Sequence, residues 1–153
     1  MNKRRVVVTG MGTVNPLGNS FQDTWSNAVA GKSGISKISL FDPVNFNTKI
    51  AGEVKTGVGD NLLNIENYIS VKESRKMDRF IQLAVIASSQ AIADSGWKPE
   101  SESDRRSTGV MIGAGIGGLP AISKTVNNIR DGKKISPFFI PSSLINLASG
   151  WVS

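Results

Sequence analysis

A glycine-rich segment at residues 109–119 most constrains how this chain can fold, because five of its eleven residues are glycine. The apolar residues 110–112 lead into it, and a helical pattern follows from about Leu119 to Arg130. Backbone this rich in glycine either takes dihedral angles closed to other residues or passes close to a neighbouring group. The segment therefore predicts a strand, a tight turn and a helix, with the turn approaching a phosphate, a substrate or another strand.

Residues 113–118 match the G-x-G-x-x-G pattern that binds dinucleotides when it follows a strand and precedes a helix. Two features argue against that interpretation. The unit would be the third strand–helix unit of the chain, and Asp131, the acidic residue near the expected offset, falls in a turn that ends a helix. The pattern favours a turn beside a substrate other than a nucleotide. Close structural packing is the next alternative, and nucleotide binding is the last.

The segments before this turn predict a strand followed by a helix. Val6, Val7 and Val8 form a consecutive apolar run typical of a strand buried on both faces. Ser20, followed three residues later by Asp23, predicts a capped helix. Residues 32–64 have no helical period and predict a long loop with one or two short strands, one of them near residues 50–54.

The strongest helical pattern covers residues 71–95 and stops at Gly96, a residue type common just after a helix. Residues 99–107 predict a charged surface loop, and Ser142 or Ser143 predicts the start of a last helix. Strands that alternate with helices favour an α/β fold.

The 153 residues include no cysteine and no histidine. This excludes disulfides, thiolate zinc sites and Cys or His nucleophiles within these residues. The apolar runs are shorter than the roughly 18–20 residues of a membrane span. The valine run is also shorter than the ~7–15 residue core of a signal peptide. We therefore expect a cytoplasmic protein that binds no metal and enters no membrane.

Four cations recur within the predicted long helix. Lys72, Arg75, Lys76 and Arg79 have i, i+3, i+4 and i+7 spacing, which would place them on one helical face. The net charge is +6, from 18 basic and 12 acidic residues. The face is therefore either a solvated surface or a docking site for an acidic partner. Few aromatic residues flank it, which argues against a partner that is single-stranded nucleic acid.

Five segments, in order and with similar spacing, resemble the β-ketoacyl-[acyl-carrier-protein] synthases, and synthase II in particular. They are residues 8–12 (VTGMG) with 16–18 (PLG), 73–80 (ESRKMDRF), 113–119 (GAGIGGL), 135–141 (ISPFFIP) and 146–150 (NLASG). The resemblance implies a thiolase-like fold with two βαβαβ halves in a homodimer. Residues 1–153 would be a partial N-terminal domain that ends before the strand carrying the nucleophile.

The resemblance also implies an activity, the decarboxylative Claisen condensation that elongates fatty acyl chains with malonyl-carrier protein. In the family a cysteine takes the acyl chain and two histidines assist decarboxylation. Since this chain has neither residue type, no catalytic residue carries over, and we expect the chain alone to be inactive. No bound cofactor is expected, because the phosphopantetheine arrives on the carrier protein.

Binding residues do carry over by the resemblance. Ile116 matches the isoleucine that gates the acyl pocket. Three residues match positions that line the partner subunit's acyl pocket: Phe139, Ile140 and Ser143. Five match basic positions that dock the acyl-carrier protein: Lys72, Arg75, Lys76, Lys133 and Lys134. The alternative is a non-catalytic module that docks the carrier protein or a synthase subunit through this basic surface. Trp151, where many relatives have His or Gln, is given no role.

Overall fold

The computed structural model describes residues 3–153, which divide into two compact units. The first unit contains residues 3–63 and 89–97, and the second contains residues 64–88 and 98–153. The elements in chain order are α1 (Phe21–Val29), β1 (Ile35–Lys37), β2 (Ile50–Gly52), a 3-10 helix (Ile65–Asn67), α2 (Val71–Ser74), α3 (Arg79–Ser95), α4 (Glu102–Ser107), α5 (Leu119–Arg130), α6 (Phe139–Ser143) and α7 (Leu147–Val152).

In the first unit, α1 and β2 confirm the predicted capped helix after Ser20 and the predicted short strand near residues 50–54. Ser20 Oγ accepts the backbone N–H of Asp23 at 3.1 Å and donates to the Asp23 carboxylate at 2.7 Å, so α1 begins there. Gly31, with φ +67°, follows its end. Strands β1 and β2 pair antiparallel, with Ser36 opposite Ala51.

The backbone at Gly10 packs closely against α3 in this unit. A Cβ at Gly10 would lie 2.3 Å from the carbonyl oxygen of Ala91 and 2.5 Å from the backbone nitrogen of Ser95. The next residue donates its N–H to Asp94 Oδ2 at 2.8 Å, which holds the segment on the helix. Glycine is therefore required at position 10 by close approach, not by an unusual dihedral angle.

The two predicted central strands are wrong. Val6 and Val8 are 90% and 80% exposed, and Met111 is 98% exposed, so neither run is a strand buried on both faces. The sheet formed by the described residues has only the strands β1 and β2. Apolar, β-branched sequence favours a strand only when a neighbouring strand supplies its ladder of hydrogen bonds. Residues 3–153 supply none to either run.

The predicted helix over residues 71–95 is two helices, α2 and α3. The carbonyl of Asp78 accepts the N–H of Gln82 at 3.2 Å, and its carboxylate accepts the N–H of Arg79. The Gln82 side-chain amide then donates to the carbonyls of Ser74 and Met77 at 3.1 and 3.3 Å. Because the break satisfies its own backbone groups, the chain turns here at little cost in hydrogen bonds. The single helical face predicted for the four cations is therefore wrong.

Two predictions about later loops and helices also need correction. Residues 99–107 contain α4, whose start is a capping box between Ser101 and Asp104. The Ser101 hydroxyl lowers the pKa of the Asp104 carboxyl below its usual range. Ser142 and Ser143 do not start the last helix, because they lie inside α6, and Leu144 is extended with ψ 131° before α7. Proline and serine residues follow one another closely in this region, and serine side chains can bond to nearby backbone groups, so helix boundaries here are hard to place from sequence.

Helix α5 has the predicted bounds, and α6 packs against it in the second unit. The interior of this unit is small. Its most deeply buried large side chains are Ile81 and Ile86 of α3, both at 0% exposure, with Ile69, Met77 and Ala148 also buried. The start of α3 therefore contributes the most deeply buried side chains of this unit.

Candidate functional site

The glycine-rich turn is divided into an open part and a tightly packed part. At Gly113 and Gly115 an added Cβ would meet nothing within 4 Å. At Gly117, where φ is +83°, it would lie 2.6 Å from the carbonyl oxygen of Ser143, and at Gly118 it would lie 2.6 Å from that of Ser142. The last two glycines are therefore required by the approach of α6 and, at Gly117, by a left-handed backbone.

The start of α5 has little capacity to bind a phosphate. Phosphates bind helix N-termini through unpaired backbone N–H groups. Here Leu119 N–H donates to Gly117 O at 3.0 Å, Pro120 has no N–H, and Ala121 N–H donates to the carboxylate of Asp78 at 2.7 Å. A carboxylate already occupies the position that a pyrophosphate would need. The geometry disfavours the dinucleotide interpretation of residues 113–118.

The turn that carries Ile116 contacts α6, the helix that carries the other predicted acyl-binding residues. Gly118 N–H donates to Ser143 O at 3.1 Å, so Ile116 lies two residues from a direct contact with α6. Ile116 and Ile140 are 69% and 58% exposed, whereas Phe139 and Ser143 are half-buried. Large apolar side chains that are exposed to solvent are available to an apolar ligand or a partner subunit. Their role in acyl binding stays a prediction.

The predicted docking residues lie in two short segments of the second unit. Lys72 is in α2, and Arg75 and Lys76 follow in the turn before α3; the first two are exposed and Lys76 is half-buried. Within residues 3–153, ion pairs join Arg106 to Glu102 and Lys133 to Asp131. The Asp131 carboxylate, 2.7 Å from Lys133 Nζ, therefore partly offsets the charge of Lys133. Among residues 3–153, the cations at positions 72, 75 and 76 have no carboxylate within ion-pair distance.

A cavity of about 360 Å³ in the second unit is lined by one residue from each of the two predicted sites. Arg75 of the docking set and Phe139 of the acyl-binding set both line it, together with Arg79, Lys124 and Asp78. Lys124 was not predicted as a site residue, because it lies on α5 more than forty positions from Arg75 and Arg79 and joins them only in the folded chain.

Asp78 is the other site residue that was not predicted from the sequence. Its side chain is buried, with 8% of the residue exposed, and its two carboxylate oxygens accept the N–H groups of Arg79 and Ala121. A signal was present, because Asp is among the residues preferred immediately before a helix. The helical pattern across residues 71–95 concealed that boundary.

No group of three His, Cys, Asp or Glu side chains among residues 3–153 is arranged to hold a metal ion. In the same residues no helix combines the length and apolarity needed to cross a bilayer.

Comparison with known proteins places the chain in a family. Residues 3–153 match the family model of the β-ketoacyl synthase N-terminal domain. Two proteins named 3-oxoacyl-[acyl-carrier-protein] synthase 2 are similar. The one from Rhizobium meliloti is 46% identical over 98% of this chain, and the one from Vibrio cholerae is 44% identical over 100% of it. The match covers 36% of each relative, so this chain spans about a third of their length.

Solved structures agree on the fold. The ishigamide ketosynthase/chain length factor superposes with a TM-score of 0.75 at 23% identity, covering 98% of this chain and 36% of that one. A β-ketoacyl synthase from Burkholderia phymatum gives 0.74 at 22% identity, covering 99% and 36%. A type II polyketide ketosynthase in complex with its acyl-carrier protein gives 0.66 at 20% identity, covering 99% and 38%. The α/β, thiolase-like fold class predicted from the sequence is confirmed, and the chain belongs to the β-ketoacyl synthase family, matching its N-terminal domain.

Proposed function

We propose that this chain is the N-terminal part of a β-ketoacyl-[acyl-carrier-protein] synthase II, which elongates fatty acyl chains by decarboxylative condensation with malonyl-carrier protein. The observation that carries the proposal is the family match over residues 3–153. Relatives named 3-oxoacyl-[acyl-carrier-protein] synthase 2, at 40–46% identity, support it. The non-catalytic docking module has no comparable support.

In this proposal the chain supplies binding surfaces and the remainder of a synthase supplies the nucleophile. A condensing enzyme of this kind needs a thiolate and imidazole donors. The 153 residues have neither Cys nor His. The chain alone is therefore inactive, and its own residues contribute carrier docking and part of the acyl pocket within a cytoplasmic homodimer.

Lys72, Arg75 and Lys76 would steer and hold the acidic carrier protein. Three cations within five residues attract an acidic surface and accelerate encounter, and salt screens that attraction. A similarly folded ketosynthase has been solved with an acyl-carrier protein bound, which supports this class of partner. Lys133 and Lys134 would extend the surface, with Lys133 contributing less because of Asp131.

The acyl chain would lie against Ile116 and α6. Ile116 is exposed next to α6, on which Phe139, Ile140 and Ser143 lie. Burial of an apolar chain against such side chains contributes about 0.8 kcal/mol per CH₂ group. A pocket of this kind measures acyl length through the number of methylene groups that it covers.

A chimera tests the activity. The matched 36% of the Rhizobium meliloti protein is replaced by this chain, and elongation of acyl-carrier protein is measured beside the unaltered relative and the 153-residue chain alone. We expect condensation by the chimera and none by the chain alone. A folded chimera with no condensation, or condensation by the chain alone, contradicts the proposal.

Titration of acyl-carrier protein into the 153-residue chain tests the docking surface. We compare Lys72→Glu/Arg75→Glu/Lys76→Glu with a matched control, Lys37→Glu/Lys55→Glu/Lys98→Glu, which changes the net charge equally at other exposed lysines. The first triple variant should weaken binding by about tenfold or more and flatten its salt dependence, whereas the control should weaken it about threefold or less. Equal loss in both variants would mean that only the net charge matters.

A further inference from the structure

A buried carboxylate follows the proposed docking residues in sequence and lies close to the glycine turn that carries the proposed acyl gate. Asp78 follows Arg75 and Lys76 in the turn between α2 and α3, yet only 8% of it is exposed. A charged side chain at this depth is retained only when its oxygens are hydrogen-bonded. Its partners therefore show what it holds in place.

One oxygen of this carboxylate serves its own helix and the other serves a helix far along the sequence. Oδ1 accepts the N–H of Arg79 at the start of α3. Oδ2 accepts the N–H of Ala121, 43 positions away, at 2.7 Å. Both N–H groups are in the first turn of a helix, where a negative charge is favoured by the helix dipole.

Helix α5 depends on this distant carboxylate because it has no cap of its own. Its N-cap residue is Gly118, which has no side chain, and Pro120 has no N–H to donate. Ala121 is the first residue within α5 whose N–H needs a partner from outside the local turn. Asp78 supplies the hydrogen bond that a Ser or Asp at the N-cap would otherwise make.

The same carboxylate also touches the turn that carries Ile116. A Cβ added at Gly118 would lie 2.9 Å from Asp78 Oδ2, so the carboxylate lies too close to this backbone to leave room for a side chain. Gly118 also donates its N–H to Ser143 O at 3.1 Å. Asp78 and α6 therefore both adjoin the second residue after Ile116.

We propose that Asp78 is a positioning residue that couples carrier docking at Lys72, Arg75 and Lys76 to the position of Ile116. A displacement of the turn before α3 moves the carboxylate, and the start of α5 and Gly118 follow through the contacts above. The identities of the partner and the gate rest on the proposed function. The link from Asp78 to the glycine turn does not.

A spin label at position 116 tests the coupling. The chain has no cysteine, so Ile116→Cys introduces a single thiol for a nitroxide. We measure its mobility by electron paramagnetic resonance in chains with Asp78, Asp78→Asn and Asp78→Ala, each with and without acyl-carrier protein. A label at Asn127→Cys, on the exposed later part of α5, reports any general loosening of that helix.

We expect the carrier protein to change the mobility of the label at position 116 when Asp78 is present and to leave it unchanged in Asp78→Ala. Without carrier, Asp78→Ala should mobilise the label at position 116 more than the label at position 127. Asp78→Asn should be intermediate, because the amide oxygen can still accept the Ala121 N–H but carries no charge. If Asp78→Ala does not fold, the same comparison is made with Asp78→Asn.

An unchanged response to carrier in a folded Asp78 variant overturns the coupling. Equal mobilisation of both labels reduces Asp78 to a structural cap. If unlabelled chain with Asp78 binds no carrier protein even at low salt, the proposed function fails and the coupling fails with it. The two labels without carrier then still decide whether Asp78 positions the turn.

Discussion

Helix α5 and the valine run at residues 6–8 are opposite cases within one chain. Every N–H of the first turn of α5 has a partner, even though one of them comes from Asp78, 43 residues away. The valines are mostly exposed and belong to no strand among the described residues. A helix completes most of its hydrogen bonds within its own segment, whereas a strand needs a second segment alongside. Whether a segment forms regular secondary structure thus depends on where its hydrogen-bond partners lie.

The largest effect should come from filling the tight part of the glycine turn. Gly117→Ala introduces both a strained left-handed backbone and a Cβ 2.6 Å from a carbonyl oxygen. It should lower the free energy of unfolding by about 2–4 kcal/mol, since overpacking and backbone strain add. Gly113→Ala, where a Cβ meets nothing within 4 Å, is the control and should change it by about 0.5 kcal/mol or less. Urea unfolding followed by circular dichroism measures both, and equal effects would show that the turn is not packed against α6.

Removing the distant cap should have the next largest effect. Asp78→Ala leaves the N–H of Ala121 without its partner and should lower the free energy of unfolding by about 1–3 kcal/mol. Asp131→Ala, which removes an exposed carboxylate from the end of α5, should change it by about 0.5 kcal/mol or less. Similar values in urea unfolding would contradict the contrast drawn above, because α5 would then not depend on a distant residue.

These contrasts also explain how much of the molecule the sequence could predict. Helices α1 and α5 and strand β2 were predicted because their signals, a cap, a helical period and glycine boundaries, are local. The break between α2 and α3 was missed because no glycine or proline marks it, and its backbone groups are satisfied by side chains such as the Gln82 amide. The resemblance supplied Ile116 and the basic residues, but Asp78 and Lys124 reach the site through contacts that no spacing rule describes.

The valine run should affect association more than stability. An exposed apolar run with unpaired backbone favours pairing with another chain. We expect the chain to self-associate as its concentration rises, and Val6→Thr/Val8→Thr to reduce this while changing the free energy of unfolding by about 0.5 kcal/mol or less. Sedimentation velocity over a concentration series measures it, with Val58→Thr, another exposed valine, as the control. A strictly monomeric parent chain would contradict the expectation.

The smallest predicted effect is the pH-dependent contribution of Glu53 to thermal stability. Ser39 donates its hydroxyl to Glu53 at 2.6 Å, which lowers the pKa of Glu53 from its usual 4.5. A lowered pKa in the folded state means that this contact stabilises the fold above pH 4.5 and is lost as the pH falls through the folded pKa. Glu53→Gln should therefore unfold at a slightly lower temperature than the parent near pH 7, and the difference should vanish in strong acid. A difference that does not depend on pH would exclude a charge effect.

Gly10 limits how this family member can change by substitution. When a side chain clashes with another side chain, a second substitution that shortens the neighbour can relieve the clash. The nearest atoms to a Cβ at position 10 are the carbonyl oxygen of Ala91 and the backbone nitrogen of Ser95, and no substitution can shorten a backbone. A larger residue there can be accommodated only if the chain moves away from α3, so position 10 has no compensating partner elsewhere in the sequence.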